Sequence, residues 1–234
     1  MTGRARKFDA ICFDCDSTLS RIEGIDELAL RAGREAEIVP LTEAAMNGSL
    51  PIEAIYARRL SILRPDRDAL AWLGERYVEE MVAGAAETVD RLQRLGKAVY
   101  VVSGGLLPAV ARLADALGLP PAHIHAVSIQ FDADGAYRGF DANSPLCRHD
   151  GKAAICQRIA ARHGSVAMVG DGITDIAARS MGAYVVGFGG VVNREAVAEG
   201  ADCFVATPDL TATLEPLLGE LELRNVHALV PRRS

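Results

Sequence analysis

The stretch Ala10-Ile11-Cys12-Phe13-Asp14-Cys15-Asp16-Ser17-Thr18 decides how this chain is read. Four apolar residues run without alternation and then give way at once to acids and hydroxyls. An apolar run with no polar face suits a strand covered on both sides, as in a parallel sheet. Working outward, the pattern recurs at 98–102, followed by Ser103-Gly104-Gly105, and at 166–169, followed by Gly170-Asp171-Gly172-Ile173-Thr174-Asp175. A fourth run covers 184–186. Helical patterns lie between them at 85–95, 107–117, 152–162 and 173–181, and Gly96 and Gly118 stand where glycines end helices. Strand alternating with helix predicts an α/β fold, with an open, Rossmann-like parallel sheet.

Two stretches depart from this alternation. Residues 21–80 contain no strand run and read as helices at 25–32, 41–46, 52–63 and 66–78, with Pro51 and Pro65 at helix starts. They are expected to form a helical domain inserted after the first strand, leaving 1–20 and 81–234 as the core. Residues 127–140 alternate, turn at Asp132-Ala133-Asp134-Gly135 and return, which predicts a β-hairpin. No internal repeat is visible.

Composition narrows the class. The 234 residues are 50% hydrophobic and 24% charged, too apolar for a disordered chain. No apolar run reaches the roughly 20 residues of a membrane-spanning helix, and no signal-peptide stretch follows the start. The expectation is a soluble, cytoplasmic protein. A net charge of −6 argues against a nucleic-acid partner. Arg4, Arg6, Lys7, Arg232 and Arg233 read as solvated tails. Five cysteines, an odd number, read as reduced thiols; no second C-x-x-C completes a zinc site with Cys12 and Cys15, and Cys12, inside an apolar run, is expected in the core. His123 and His125 lack a third ligand partner.

In open α/β sheets, ligands bind beyond the carboxyl ends of the strands. Taken singly, Asp14 and Asp16 could be loop acids, Ser103-Gly104-Gly105 a plain turn, Lys152 a surface lysine, and Asp171 and Asp175 helix-start acids. Together they should converge on one edge of the sheet, and they share a logic. Phosphoryl transfer to a carboxylate brings two anions together. A divalent cation held by acids offsets that repulsion, while a lysine, a serine hydroxyl and glycine N–H groups hold the phosphate oxygens. A carboxylate nucleophile splits the reaction into two steps, and a second carboxylate can move the proton.

The set D-x-D-S-T, S-G-G, K and G-D-G-x-T-D resembles the haloacid dehalogenase superfamily of aspartate-nucleophile phosphotransferases, in the family's order and across the whole core. Glu23-Gly24-Ile25-Asp26-Glu27-Leu28-Ala29, Arg59-Leu60-Ser61-Ile62-Leu63-Arg64-Pro65 and Gly187-Phe188-Gly189-Gly190 are similar to the phosphoserine phosphatases within it. The resemblance implies Asp14 as nucleophile and Asp16 as general acid/base. It implies Mg²⁺ on the Asp14 side chain, the Asp16 carbonyl and Asp171, with Asp175 behind them. Ser103, Gly104, Gly105 and Lys152 would hold the phosphoryl group, and Thr174 would face the substrate. From the helical cap, Glu23 would meet an ammonium, Arg59 a carboxylate, and Met46 would add an apolar contact. The implied reaction is hydrolysis of O-phospho-L-serine to L-serine and phosphate, a step of serine biosynthesis.

Ile52 and Leu106 stand where relatives often carry Phe, Asn47 replaces a Gly, and 146–150 is unlike related sequences. These departures fall around the leaving-group pocket. They keep open another small phosphate ester as substrate, or an alcohol as acceptor. A non-catalytic binder of a phosphorylated metabolite is the remaining alternative, and it would have no use for both a nucleophile and an acid/base.

Overall fold

A computed structural model describes residues 7–46 and 51–228. The strands are β1 (Ala10–Phe13), β2 (Ala98–Leu106), β3 (Ile124–Val127), β4 (Ile129–Phe131), β5 (Tyr137–Phe140), β6 (Val166–Gly170), β7 (Tyr184–Phe188) and β8 (Cys203–Val205). Four helices, α1 (Gly24–Ala32), α2 (Glu35–Met46), α3 (Ile52–Leu63) and α4 (Arg67–Glu79), stand between β1 and β2. They are followed by α5 (Ala85–Arg94), α6 (Leu107–Ala116), α7 (Gly151–His163), α8 (Ile173–Ile176), α9 (Glu195–Gly200), α10 (Leu214–Leu217) and α11 (Glu220–Ala228). Among the described residues no helix is long and apolar enough to cross a membrane.

Six strands form one parallel sheet in the order β3-β2-β1-β6-β7-β8. From β1 the chain builds outward through β2 and β3, then returns to β1's other side for β6, β7 and β8. The order therefore reverses between β1 and β6, and such a switch point opens a crevice at the carboxyl ends of its strands. All four residues of β1 are fully buried, as the uninterrupted apolar run requires. Helix α5 buries Ala85, Thr88, Val89 and Leu92 along one face, and α6 buries Ala109, Val110, Leu113 and Ala114. Gly96 and Gly118 sit just past these two helices with φ of 70° and 69°, a conformation only glycine adopts without strain.

Helices α1 to α4 fall within 21–80, where the sequence predicts helices, and the predicted hairpin is the antiparallel pair β4–β5. The two chain crossings into the insertion run side by side. Ser20 and Met81 form an isolated antiparallel bridge, and Arg21 N–H donates to the Glu80 carbonyl at 2.8 Å. Above them α4 packs along α6.

Several expectations need correction. The second helix begins six residues before 41 and carries Pro40 inside it, where the ring gives up one backbone hydrogen bond without ending the helix. The 173–181 helix is a short α8 followed by a 3-10 turn at Ala177–Met181. Strand β2 does not stop at residue 102 but carries Ser103-Gly104-Gly105 within it, with its pairing to β3 slipping between Val102 and Leu106. Lys7 is not a solvated tail residue. Its ammonium donates to the Pro216 carbonyl at 2.5 Å and lies over the rings of Phe8 and Tyr184. Arg4, Arg6, Asn47, Arg232 and Arg233 lie outside the described residues, and so does the side chain of Met46. Cys12 and Cys15 are core residues with free thiols. His123 and His125 stack against Tyr100.

Candidate active site

Asp14 is the first residue beyond β1, and its N–H still donates to the Val169 carbonyl of β6 at 2.9 Å, so the backbone there is held between two strands. Its Oδ1 accepts the Cys15 N–H at 2.7 Å, and its Oδ2 accepts the Lys152 ammonium at 2.5 Å. Lys152 reaches in from the first turn of α7 and also donates to Asp175 Oδ1 at 2.7 Å. All three side chains are buried. Burial works against the lysine's charge, but the carboxylates of Asp14 and Asp175 outweigh it and hold the ammonium above its ordinary pKa. Asp175 Oδ2 accepts the Gly172 N–H at 3.0 Å, so both its oxygens are engaged. The approach of Asp175 depends on Gly170, where a Cβ would lie 2.1 Å from the Asp175 carboxyl carbon.

Asp171 follows β6 and faces the same point. One oxygen from each of Asp14, Asp171 and Asp175 lies within 4.8 Å of the others, and this buried all-oxygen set could hold a hard divalent cation. Two weak contacts hold Asp171, from Thr18 Oγ1 at 3.3 Å and Arg194 Nε at 3.4 Å. Burial, then the charge of Asp14, pushes the Asp171 carboxyl up to about 6. Burial first, with the charges of Asp14 and Asp171, pushes Asp175 up to about 7 against the pull of Lys152. A cluster of acids held away from water in this way favours a cation or a proton.

Asp16 is arranged differently. Its Oδ1 accepts the Gly24 N–H and the Tyr77 hydroxyl, each at 2.7 Å. Its Oδ2 faces the Ser103–Gly105 stretch, since a Cβ on Gly105 would sit 3.4 Å from that oxygen and 3.2 Å from Ser103 Oγ. Burial, then the Asp14 charge, pushes Asp16 up to about 6, against the pull of its two donors.

Asp14, Asp16, Tyr77, Lys152 and Asp171 line one cleft of about 430 Å³, with Asp175 behind it holding Lys152. Glu23, Arg59 and Thr174 line it too, as do Ser103, Gly104 and Gly105. Glu23 accepts the Ser17 hydroxyl at 2.7 Å, with Ser17 held at φ 49°, and burial followed by the charges of Asp16 and Asp171 pushes its carboxyl well up. Arg59 meets no carboxylate of the protein at hydrogen-bond distance among the described residues. Its Nη1 reaches Thr42 Oγ1 at 3.4 Å, that hydroxyl donates to Asp26 Oδ1 at 3.2 Å, and its buried Nε has no partner among the described residues. A buried guanidinium N–H left unpaired is costly unless a ligand meets it. Ile52, Leu106, Leu146, Arg148 and His149, where the sequence departs from its relatives, line the same cleft.

The fold thus gathers every described side chain that the sequence singled out. Sequence reading missed Arg194, Tyr77, Tyr56 and Thr42. Arg194 had a usable signal: it follows the glycine-rich end of the fourth strand run, and the rule that ligands sit at strand ends applies to that strand as to the other three. The three others project from helices of the insertion, whose docking angle no local pattern reveals.

A family model described as haloacid dehalogenase-like hydrolase matches residues 8–180. Phosphoserine phosphatase of Mus musculus is 36% identical over 216 residues, covering 92% of this chain and 93% of that protein. A substrate-bound phosphoserine phosphatase structure superposes with a TM-score of 0.76 at 30% identity, covering 90% of this chain and 99% of the other. A phospho-aspartyl intermediate analogue of phosphoserine phosphatase gives a TM-score of 0.74 at 30% identity, with the same coverage. The chain belongs to the haloacid dehalogenase-like hydrolases, in their phosphoserine phosphatase family.

Proposed function

We propose that the protein hydrolyses O-phospho-L-serine to L-serine and phosphate through an aspartyl-phosphate on Asp14. The observation that carries this reading is the pairing, in one cleft, of the Asp14–Lys152 contact with a half-buried carboxylate, Glu23, and a half-buried guanidinium, Arg59, whose Nε is buried. The first suits a phosphoryl group. The second pair suits the ammonium and carboxylate of an amino acid, the guanidinium gripping a carboxylate with two parallel hydrogen bonds.

In the first step an Asp14 carboxylate oxygen attacks phosphorus and the bond from phosphorus to the serine oxygen breaks. Asp16 gives that oxygen its proton. In the second step Asp16 takes a proton from water as the water oxygen attacks phosphorus, and the bond to Asp14 breaks to release phosphate. A carboxyl near 6 is poised for both duties close to neutral pH. Ser103, the Gly104–Gly105 backbone and Lys152 hold the remaining phosphoryl oxygens. Asp14, the Asp16 carbonyl and Asp171 would hold Mg²⁺, with Asp175 behind them fixing Lys152. When bound, the ion offsets the repulsion between the acids and the phosphoryl group. Three buried carboxylates sharing one lysine and a weak arginine contact keep a net negative charge that suits it. Residues 21–80 act as the cap over a core of 1–20 and 81–234, and the cap excludes bulk water from the reacting atoms. Five free thiols suit a reducing compartment, the cytoplasm.

Phosphate release from a panel of amino-acid and sugar phosphates tests this. The expected result is fastest turnover of O-phospho-L-serine, dependent on Mg²⁺ and abolished by chelator. A higher kcat/KM for another ester would overturn the substrate assignment.

A further inference from the structure

Helix α3 reaches the phosphoryl-holding stretch through a hydrogen bond. Tyr56 donates its hydroxyl proton to the Gly104 carbonyl at 2.9 Å. That carbonyl belongs to the peptide unit joining Gly104 to Gly105, and the N–H of the same unit donates to Ser103 Oγ at 3.0 Å. One planar peptide is therefore held at both polar ends, by the cap on one side and by Ser103 on the other. Because the unit is planar, fixing its carbonyl also fixes the direction of its N–H. The N–H in turn fills a lone pair of the Ser103 hydroxyl, which leaves the single hydroxyl proton free for another acceptor.

This peptide needs an outside hold. The β2–β3 ladder slips between Val102 and Leu106, so the pairing that orients a strand's peptides is interrupted where Ser103, Gly104 and Gly105 lie. Two of the three are glycines, the residues with the widest choice of backbone conformation. Tyr56 is well placed to supply the hold. It is buried, and its ring lies 5.3 Å from the ring of Phe140 on β5. Burial also keeps the phenol neutral and therefore a donor.

We propose that Tyr56 is a positioning residue that locks the Gly104–Gly105 peptide, turns the Ser103 hydroxyl toward the phosphoryl group, and makes that lock depend on the docking of α3. The proposal rests on the reading of Ser103 as a phosphoryl-holding group.

The test compares Tyr56→Phe with wild type in Mg²⁺, reading the inhibition constant for inorganic phosphate, that for L-serine, and kcat/KM for O-phospho-L-serine and p-nitrophenyl phosphate. The expected result is phosphate binding weakened by about three- to tenfold, the size of one neutral hydrogen bond. Both esters should lose kcat/KM by a similar factor, with L-serine inhibition unchanged. A loss under about twofold in phosphate binding, or a loss confined to phosphoserine, overturns the proposal. Phe140→Leu, which keeps the hydroxyl and removes its ring neighbour, should leave phosphate binding within twofold of wild type. A larger loss there would assign the effect to packing and also overturn it. Ser103→Ala separates this proposal from the reading beneath it. If Ser103→Ala weakens phosphate binding and Tyr56→Phe does not, the positioning role fails alone; if neither does, the phosphoryl-holding assignment fails as well.

Discussion

In sequence Arg59 is an ordinary charge on a helical segment. In the fold it lines the cleft with a buried Nε that has no partner among the described residues, and a Thr42–Asp26 relay orients it. If it grips the substrate carboxylate, Arg59→Ala should raise KM for O-phospho-L-serine by about 10- to 100-fold, the size of a charge-assisted hydrogen bond. O-phosphoethanolamine, which lacks the carboxylate, should be affected less than threefold. Equal losses on both esters in steady-state kinetics would remove the carboxylate role. Asp14, Asp16, Lys152, Asp171 and Asp175 are legible in the amino-acid sequence, because an acid or lysine beside a buried strand run or at a helix start stands out against its surroundings. Arg59 and Glu23 are legible only through family resemblance. Tyr56 and Tyr77 escape a sequence reading, since each reaches the cleft through packing between segments distant in sequence, whereas Arg194 carries a signal in its place after a strand end.

Among the elements, the central strands are readable and the edges are not. β1 is buried along its whole length and shows as a bare apolar run, whereas β3 has three of its four residues only partly buried and β8 has just three residues, all partly buried. An edge strand covers less apolar surface and leaves a weaker imprint. Helix α11 leaves no clear imprint either, and an ion pair explains how it is attached. Lys97, just before β2, pairs with Glu222 of α11 at 2.6 Å, with the lysine side chain fully buried, and also donates to the Phe8 carbonyl at 2.5 Å. Removing one member leaves a buried charge uncompensated. Glu222→Ala should lower unfolding free energy by about 3–5 kcal/mol in urea titration, with kcat unchanged because the pair lies at the amino ends of the strands. The double variant Lys97→Met, Glu222→Leu should recover at least half of that loss. A single variant as stable as wild type would show that the pair does not anchor the helix.

At the scale of the whole molecule, the acidic cluster would couple folding to a divalent cation bound there. Asp16 and Asp171 are pushed up to about 6 and Asp175 to about 7, in each case first by burial. The folded protein therefore holds more protons than the unfolded chain between about pH 4 and 7, and these groups cost increasing stability as pH rises through that window. A bound divalent cation favours their charged forms and removes the cost. The rise in melting temperature produced by saturating Mg²⁺ should therefore grow from pH 5 to pH 7.5. Comparing the two conditions cancels the opposite contribution of His125 and His163, whose pKa values burial lowers. An increment independent of pH would place the cation elsewhere. The sheet order that makes the cluster possible is not readable from local pattern, since nothing in either run says that β6 pairs with β1. The parallel arrangement is readable, and it alone puts all the strand-end residues on one edge. The central claim is that this edge makes Asp14 a nucleophile. Acid-quenching the enzyme during turnover of O-phospho-L-serine with Mg²⁺, followed by peptide mass spectrometry, tests it directly. The account predicts one phosphoryl group on the peptide bearing Asp14, absent in Asp14→Asn, which should also lose about a thousandfold or more in kcat. Phosphate released at full rate by Asp14→Asn, or a phosphoryl group found on another residue, would contradict it.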